Sequence, residues 1–342
     1  MKKKRVGLFI IMIIAYVFIL GLSISLGAAD ISIKDAFYTL FKAIPFIGNM
    51  LHAKIPYTMT VIIFKVRMPR IIMASIVGMG LAVVGTSFQA VFKNPMADPY
   101  ILGISSGAAL GAAIGIVLHI GGNQWQVSTI TIFAFLGAVL TTLLVYNIAK
   151  VGRSLPVTKL LLSGIAVNFM ISSIISIIMV FSREELQQIV FWSMGSFNAA
   201  SANEIAMAAP FIIIGTLITL IFSRDLNIML TGEETAKTLG VNIEHVKKLI
   251  IIISSLMVAA AVAFCGIIGF VGLIIPHILR LILGPDNKTL ILFSALGGAI
   301  FLLLADTLAR TVAAPAELPV GAITALLGSP YFLYLLSKNR KG

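Results

Sequence analysis

The chain has 342 residues, 59% of them hydrophobic and only 11% charged, with a formal net charge of +12 and a mean hydropathy of +1.07. A soluble domain carries about 25% charged residues, so this chain cannot cover itself for water and a water-soluble fold is excluded. The single cysteine, Cys265, excludes an internal disulfide and reads as a small packed hydrophobe.

Apolar runs recur along the whole length, and runs of about 20 residues span a membrane as helices rather than as barrel strands. The expected class is therefore an all-α polytopic membrane protein. The N-terminal stretch MKKKRVGLFIIMIIAYVFILGLS imitates a signal peptide. Its apolar run of about 20 residues exceeds the 7–15 of such a segment, so it reads as a retained first span. The predicted spans, in chain order, are 6–27, 69–92, 100–119, 127–149, 159–181, 203–223, 249–268, 270–284, 289–309 and 319–337. The run 249–284 is unbroken and divides only at CGIIGFVG, and its second piece holds Pro276. With the N-terminus in the cytoplasm, 17 of the 25 lysines and arginines fall on the inner side and both termini lie inside. The cations are thus topology signals between spans, and no nucleic-acid surface is expected. Lys65, Arg67, Arg70 and Arg310 are exceptions at the outer side.

Between the second and third spans the chain reads FKNPMADPYILGISSGAALGAAIG. Asn94–Pro95 and Asp98–Pro99 each pair a capping residue with a proline suited to a first helical position. Glycines at 103, 107, 111 and 115 then recur in steps of four, a small-residue face on which helices approach closely in lipid. A water channel would need a second Asn-Pro motif, and none is present.

Residues 99–149 contain no Asp, Glu, Lys or Arg, nor do 71–92, 160–182, 205–223, 249–279 or 318–337. An ion-coupled carrier needs ionisable groups at mid-membrane, so that class is disfavoured. Asp306, four residues before Arg310, reads as its helix-face partner near the outer surface. His52, His119, His245 and His277 share no metal-ligand spacing. HExxH and GxSxG motifs are missing, so neither an enzyme nor a cofactor is expected.

The largest inner loop, 224–248, reads RDLNIMLTGEETAKTLGVNIEHVKK. Thr231 and Glu234 have capping-box spacing, Gly240 fits a helix stop, and Asn242 can cap the next helix. A short capped helix with apolar spots suggests a docking surface for another protein. TGEETAKT fails the phosphate-binding pattern GxxxxGK[ST], so the chain has no ATPase of its own.

Over nearly its whole length the chain resembles the iron-siderophore, haem and vitamin B12 family of ABC importer permeases. The blocks are RMPRIIMASIVGMGLAVVGTSFQAVFKNPMADPYILGISSGAALGA, TKLLLSGIAVN, FWSMGSF, TGEETAKTLGV, GFVGLIIPHILRLILGPDNK, ADTLAR and ELPVGAITALLGSPYFLYLL, in that order. The resemblance implies one transmembrane domain over 1–342, a vitamin B12 importer permease-like bundle of about ten helices. It implies a partner permease (a second copy, or a paralogue), two ABC ATPase subunits and an extracytoplasmic substrate-binding protein. The implied cargo is an iron(III)-siderophore, with cobalamin and haem as alternatives. Carried over residue by residue, Arg67, Arg70 and Arg310 meet acidic residues of the binding protein. Gly232, Glu233, Ala236, Leu239, Gly240 and Val241 form the ATPase coupling helix. Val157 and Thr158 align with a cytoplasmic gate, although Val157 departs from the small hydroxyl residues of the family. Asn168 faces either the path or a neighbouring helix.

Overall fold

A computed structural model describes residues 2–27, 29, 31–42, 56–119, 126–152 and 154–338. The tail 339–342 and His52 lie outside the described residues. The elements are α1 (Lys2–Ser25), α2 (Ile33–Lys42) and α3 (Tyr57–Val61), the last running through a π-helical turn (Ile62–Arg67) into α4 (Met68–Val91). A 3₁₀ turn (Pro99–Leu102) precedes α5 (Ile104–Val117), α6 (Gln126–Ala149), α7 (Val157–Phe181), α8 (Leu186–Ser193) and α9 (Ala202–Ile221). Then follow α10 (Ser223–Leu230), α11 (Glu233–Thr238), α12 (Ile243–Cys265), α13 (Val271–Leu283), α14 (Asn287–Thr311) and α15 (Val320–Lys338).

Seven of these stretches are long and apolar enough to cross a membrane, and three shorter apolar helices lie at Ile104–Val117, Val271–Leu283 and Val320–Tyr334. Each of the ten overlies one of the predicted spans. The unbroken run 249–284 divides where expected: Gly266 (φ +69°) and Phe270 (φ +68°) end α12 and open α13. Phe270 is a non-glycine in the left-handed region, an uncommon conformation that marks a sharp redirection of the chain.

Alternation of the spans puts Arg5, the α13–α14 turn and α10 at one end of the bundle. There Arg5 donates to the Leu283 carbonyl at 3.0 Å and Asn227 donates to Asp286 at 2.9 Å. We call this the termini end, and the opposite side the far end.

Helix α4 is the axis. In its most apolar stretch 83% of residues are buried, against 17% for α7, which lies at the edge with only Leu160, Gly164, Val167 and Ile171 buried. Lipid provides no hydrophobic push between helices, so close packing has to supply the cohesion. At Gly78 and Gly298 the backbones of α4 and α14 touch, and a Cβ on either glycine would collide with the carbonyl of the other. A hydroxyl crosses the same seam, Thr86 donating to Ser294 at 3.0 Å, and α1 is tied to α14 where Ser23 and Thr307 lie 2.6 Å apart.

The KNPMADP segment departs in part from expectation. Asn94 closes a turn by accepting from the Met96 amide at 2.9 Å and starts no helix. Asp98 does cap, accepting from the Tyr100 amide at 2.7 Å, but what it opens is the 3₁₀ turn. Gly103 (φ +78°) redirects the chain, so α5 begins one residue later and the packing stripe is Gly107, Gly111 and Gly115. That stripe meets α6, where Cβ atoms at Gly107 and Gly111 would strike the backbone at Gly137 and Phe133.

Candidate functional site

At the termini end the loop after α9 is built from two short helices. α10 stops at Thr231, whose hydroxyl donates back to the Ile228 carbonyl at 2.8 Å. The expected Thr231–Glu234 capping box is therefore absent. Thr231 closes the preceding helix, and Gly232 (φ +127°) stands at the N-cap of α11 without a side-chain bond. The stop is as expected and has a mechanism. Gly240 (φ +80°) donates to Lys237 O and Val241 donates to Ala236 O, both at 3.0 Å, the paired bonds of a glycine C-terminal cap. Asn242 then caps α12, accepting from the His245 amide at 3.1 Å.

This arrangement sorts the six residues expected to form the coupling helix. Ala236 (0% exposed) and Val241 (8%) face inward and seat the helix, whereas Leu239 (61%) points outward. Gly240 is exposed and Gly232 half-buried. Glu233 is held by Lys247, with Nζ to Oε1 at 2.9 Å, and Lys247 itself is buried. That bond holds the Glu233 carboxyl below the usual carboxylate range. Lys247 also lies 3.5 Å from Glu244 Oε1. The other oxygen of Glu244 accepts from the Leu155 amide at 2.9 Å. Leu155 leads through Pro156 into Val157 (half-buried) and Thr158 (exposed) at the first turn of α7. Beside this chain of contacts a cleft of about 310 Å³ is lined by Lys150, Ser154, Asn242, Glu244, His245 and Lys248.

At the far end the three arginines are not surface cations. Arg67, Arg70 and Arg310 are 4%, 5% and 5% exposed. Arg70 donates from Nε to Asp306 Oδ1 and from Nη1 to Glu317 Oε2, both at 2.8 Å, and also to Asn198. Arg310 Nε lies 3.2 Å from Asp306 Oδ2, and its Nη atoms reach the Ser23 and Leu26 carbonyls at 3.1 and 3.2 Å. Arg67 reaches Ser25 O at 2.7 Å and the carbonyls of Ile24 and Ala29. Two of the guanidiniums thus serve carbonyls at the C-terminal end of α1, which lack helical partners and sit at the negative pole of the helix. The expected Asp306–Arg310 pair is present, but Asp306 is fully buried and shared with Arg70. Glu317, 33% exposed, is the outermost member.

On the edge helix α7, Ser172, Ser173 and Ser176 lie on the bare face. Two of their hydroxyls bond within the helix. Asn168 is half-buried and accepts from the Ser106 hydroxyl at 2.5 Å, which ties α7 to α5. Among the described residues no group of three or more His, Cys, Asp or Glu could hold a metal ion.

The profile of the FecCD transport family matches residues 12–338. The chain belongs to this family. Curated relatives of this FecCD chain include permeases of import and transport systems. The cobalamin permease BtuC of Halobacterium salinarum is 43% identical over 82% of this chain and 75% of its own. The Fe(3+)-citrate permease YfmD of Bacillus subtilis is 40% identical over 99% and 97%. The hemin permease HmuU of Yersinia pestis is 40% identical over 81% and 83%. A solved structure described as an inward-facing metal-chelate type ABC transporter covers 99% of this chain and 100% of its own, with a TM-score of 0.83 and 30% identity. The FecCD chain is thus a multi-pass membrane permease and not a catalytic subunit.

Proposed function

We propose that this chain is the membrane subunit of an ATP-driven importer that carries an iron(III) chelate of the siderophore class across the cytoplasmic membrane. The observation that carries the cargo assignment is the end-to-end match to a ferric citrate permease, 99% of one chain against 97% of the other. In this reading the termini end is cytoplasmic, and Leu239 and Gly240 are the face offered to each of two ATPase subunits. Ala236, Val241 and Glu233 seat that face on α12, and Gly232 frees its start. Val157 and Thr158 narrow the inner mouth. The bare face of α7, with its serines, meets a second copy of the chain or a paralogue across the path. At the far end an acidic surface of a binding protein would engage Arg67, Arg70 and Arg310 by drawing them off their internal acceptors, with Glu317 as the first to be displaced. Charge complementarity of this kind speeds and orients docking.

The test is uptake in a host lacking its own importers, supplied with this chain, its ATPase and its binding protein. Labelled ferric siderophore, ferric citrate, cobalamin and hemin are offered in parallel. Accumulation of an iron chelate, abolished when the ATPase is inactivated, is the expected result. A cobalamin reading is favoured by the 43% identity to the archaeal cobalamin permease, and uptake of cobalamin alone would replace the iron assignment by it. Uptake that survives ATP depletion would sink both.

A further inference from the structure

At the far end, between the first turns of α6 and α9 and the last turns of α12, lies a cavity of about 420 Å³. Its volume falls within the range of small-molecule sites, roughly 300–1,000 Å³. The walls are apolar: Phe135 and Phe211 have ring centroids 5.5 Å apart, and Phe264, Leu136 and Met207 continue the lining. The polar lining residues are few: Ser201, Asn203 and Glu204 of the α9 start, with Thr131 of α6.

Glu204 is half-buried, and its place in the helix is explained by a capping box. Its Oε2 accepts from the Ser201 amide at 3.1 Å while the Ser201 hydroxyl accepts from the Glu204 amide. That role uses one carboxylate oxygen. Among the described residues no cation pairs with Glu204, and the Asn203 side chain next to it is exposed. A carboxylate and a carboxamide therefore stand at the membrane boundary above an apolar slot and offer acceptors. An anionic headgroup would be repelled there, and a trimethylammonium head has no N–H to give. A primary ammonium supplies three donors.

We propose that this cavity is a lipid site selective for a phospholipid with a primary ammonium head, phosphatidylethanolamine, with one acyl chain against Phe135, Phe211 and Phe264 and the ammonium on Glu204. The proposal does not depend on which cargo is carried.

The experiment is native mass spectrometry of the purified permease delipidated in detergent and offered phosphatidylethanolamine, phosphatidylcholine and phosphatidylglycerol with identical acyl chains. Phosphatidylethanolamine should be retained roughly five- to tenfold over the other two, the worth of one charge-assisted hydrogen bond. Glu204→Gln keeps the capping box, which glutamine also completes, so the fold stays while the preference falls to within about twofold. Met207→Trp fills the slot and should lower retention of all three lipids alike. Soluble ethanolamine should displace nothing, and displacement by it would assign the site to a free amine instead. Equal retention of the three lipids by the unaltered chain, or a preference that survives Glu204→Gln, would overturn the proposal. So would protection of Met207→Cys from a lipid-soluble maleimide in the assembled importer, because a protein surface would then cover the cavity.

Discussion

Glu244 Oε2 accepts a hydrogen bond from the Leu155 backbone amide at 2.9 Å, across 89 residues of chain. Through its other oxygen Glu244 shares Lys247 with Glu233. The short helix α11 and the first turn of α7 are thereby held in one frame, so a force on the first has a rigid route to the second. Coupling of this kind needs a contiguous set of contacts with few soft joints, and here the set is three side chains and one amide.

Replacing Glu244 with alanine should leave the Leu155 amide unpaired at a half-buried position. An unpaired buried donor costs about 1–3 kcal/mol, which corresponds to roughly a five- to 150-fold loss of coupled transport if it falls on the transport-competent state. Glu244→Gln keeps an acceptor for the amide and should retain most of the activity. Equal loss in both variants would point to the Lys247 ion pair as the joint that matters, and no loss in either would remove Glu244 from the coupling route.

Leu239 and Ala236 lie three residues apart and should behave oppositely. Leu239 is 61% exposed and Ala236 fully buried. Leu239→Asp should insert and fold normally yet uncouple ATP hydrolysis from uptake. Ala236→Asp puts a charge into a packed site and should lower the yield of folded protein itself. Thermal unfolding in detergent beside transport in proteoliposomes separates the two, and normal uptake by Leu239→Asp would count against α11 as the coupling element.

The Glu233–Lys247 bond makes the seating of α11 sensitive to acid. Because this bond depresses the carboxyl pKa, its stabilising share is full above the ordinary value near 4.3 and disappears as pH falls through the lower folded value. Protection of α11 amides from hydrogen exchange, corrected for the intrinsic rate, should hold from pH 7 to about 5 and decline below about 4. Lys247→Met should flatten that profile. A profile unchanged by this substitution would show that other contacts seat the helix.

Much of the architecture was legible before the structure because it follows from local rules. Ten apolar runs, the break at Gly266–Phe270, the Gly240 stop and the Asn242 cap each depend on residues close in sequence. The misreadings have a common cause in tertiary competition. Thr231 carries capping-box spacing, but α10 continues the chain from α9 and claims its hydroxyl for a C-terminal bond. Gly103 continues the stripe of four, yet the cap at Asp98 spends the preceding residues on a 3₁₀ turn. The far-end arginines were visible as cations against the topology bias, with Asp306 as the helix-face partner of Arg310, but the rest of their network was not. Apart from Asp306, four residues from Arg310, their acceptors lie 38 to 287 residues away, and no periodicity reports such distances. For the same reason the frame through Glu244 and Leu155 left no signal in the sequence.

Asp306 is the residue that decides whether the far-end arginines are structural, since it sits fully buried between Arg70 and Arg310. Asp306→Asn removes the carboxylate and leaves two guanidiniums side by side in a desolvated site. Breaking a buried ion pair on one side costs about 3–5 kcal/mol, so the purified permease should unfold at a clearly lower temperature even with no partner present. Adding Arg310→Met should recover part of the loss by removing one of the stranded charges. Arg70→Ala should likewise lower the stability of the isolated chain as well as its affinity for a binding protein, because Glu317 and Asn198 lose their partner. A residue used for docking alone would change affinity and leave unfolding untouched. If Arg70→Ala and Asp306→Asn both unfold like the parent chain while docking weakens, the internal network contributes nothing to the fold, and the arginines are free to turn outward at no cost.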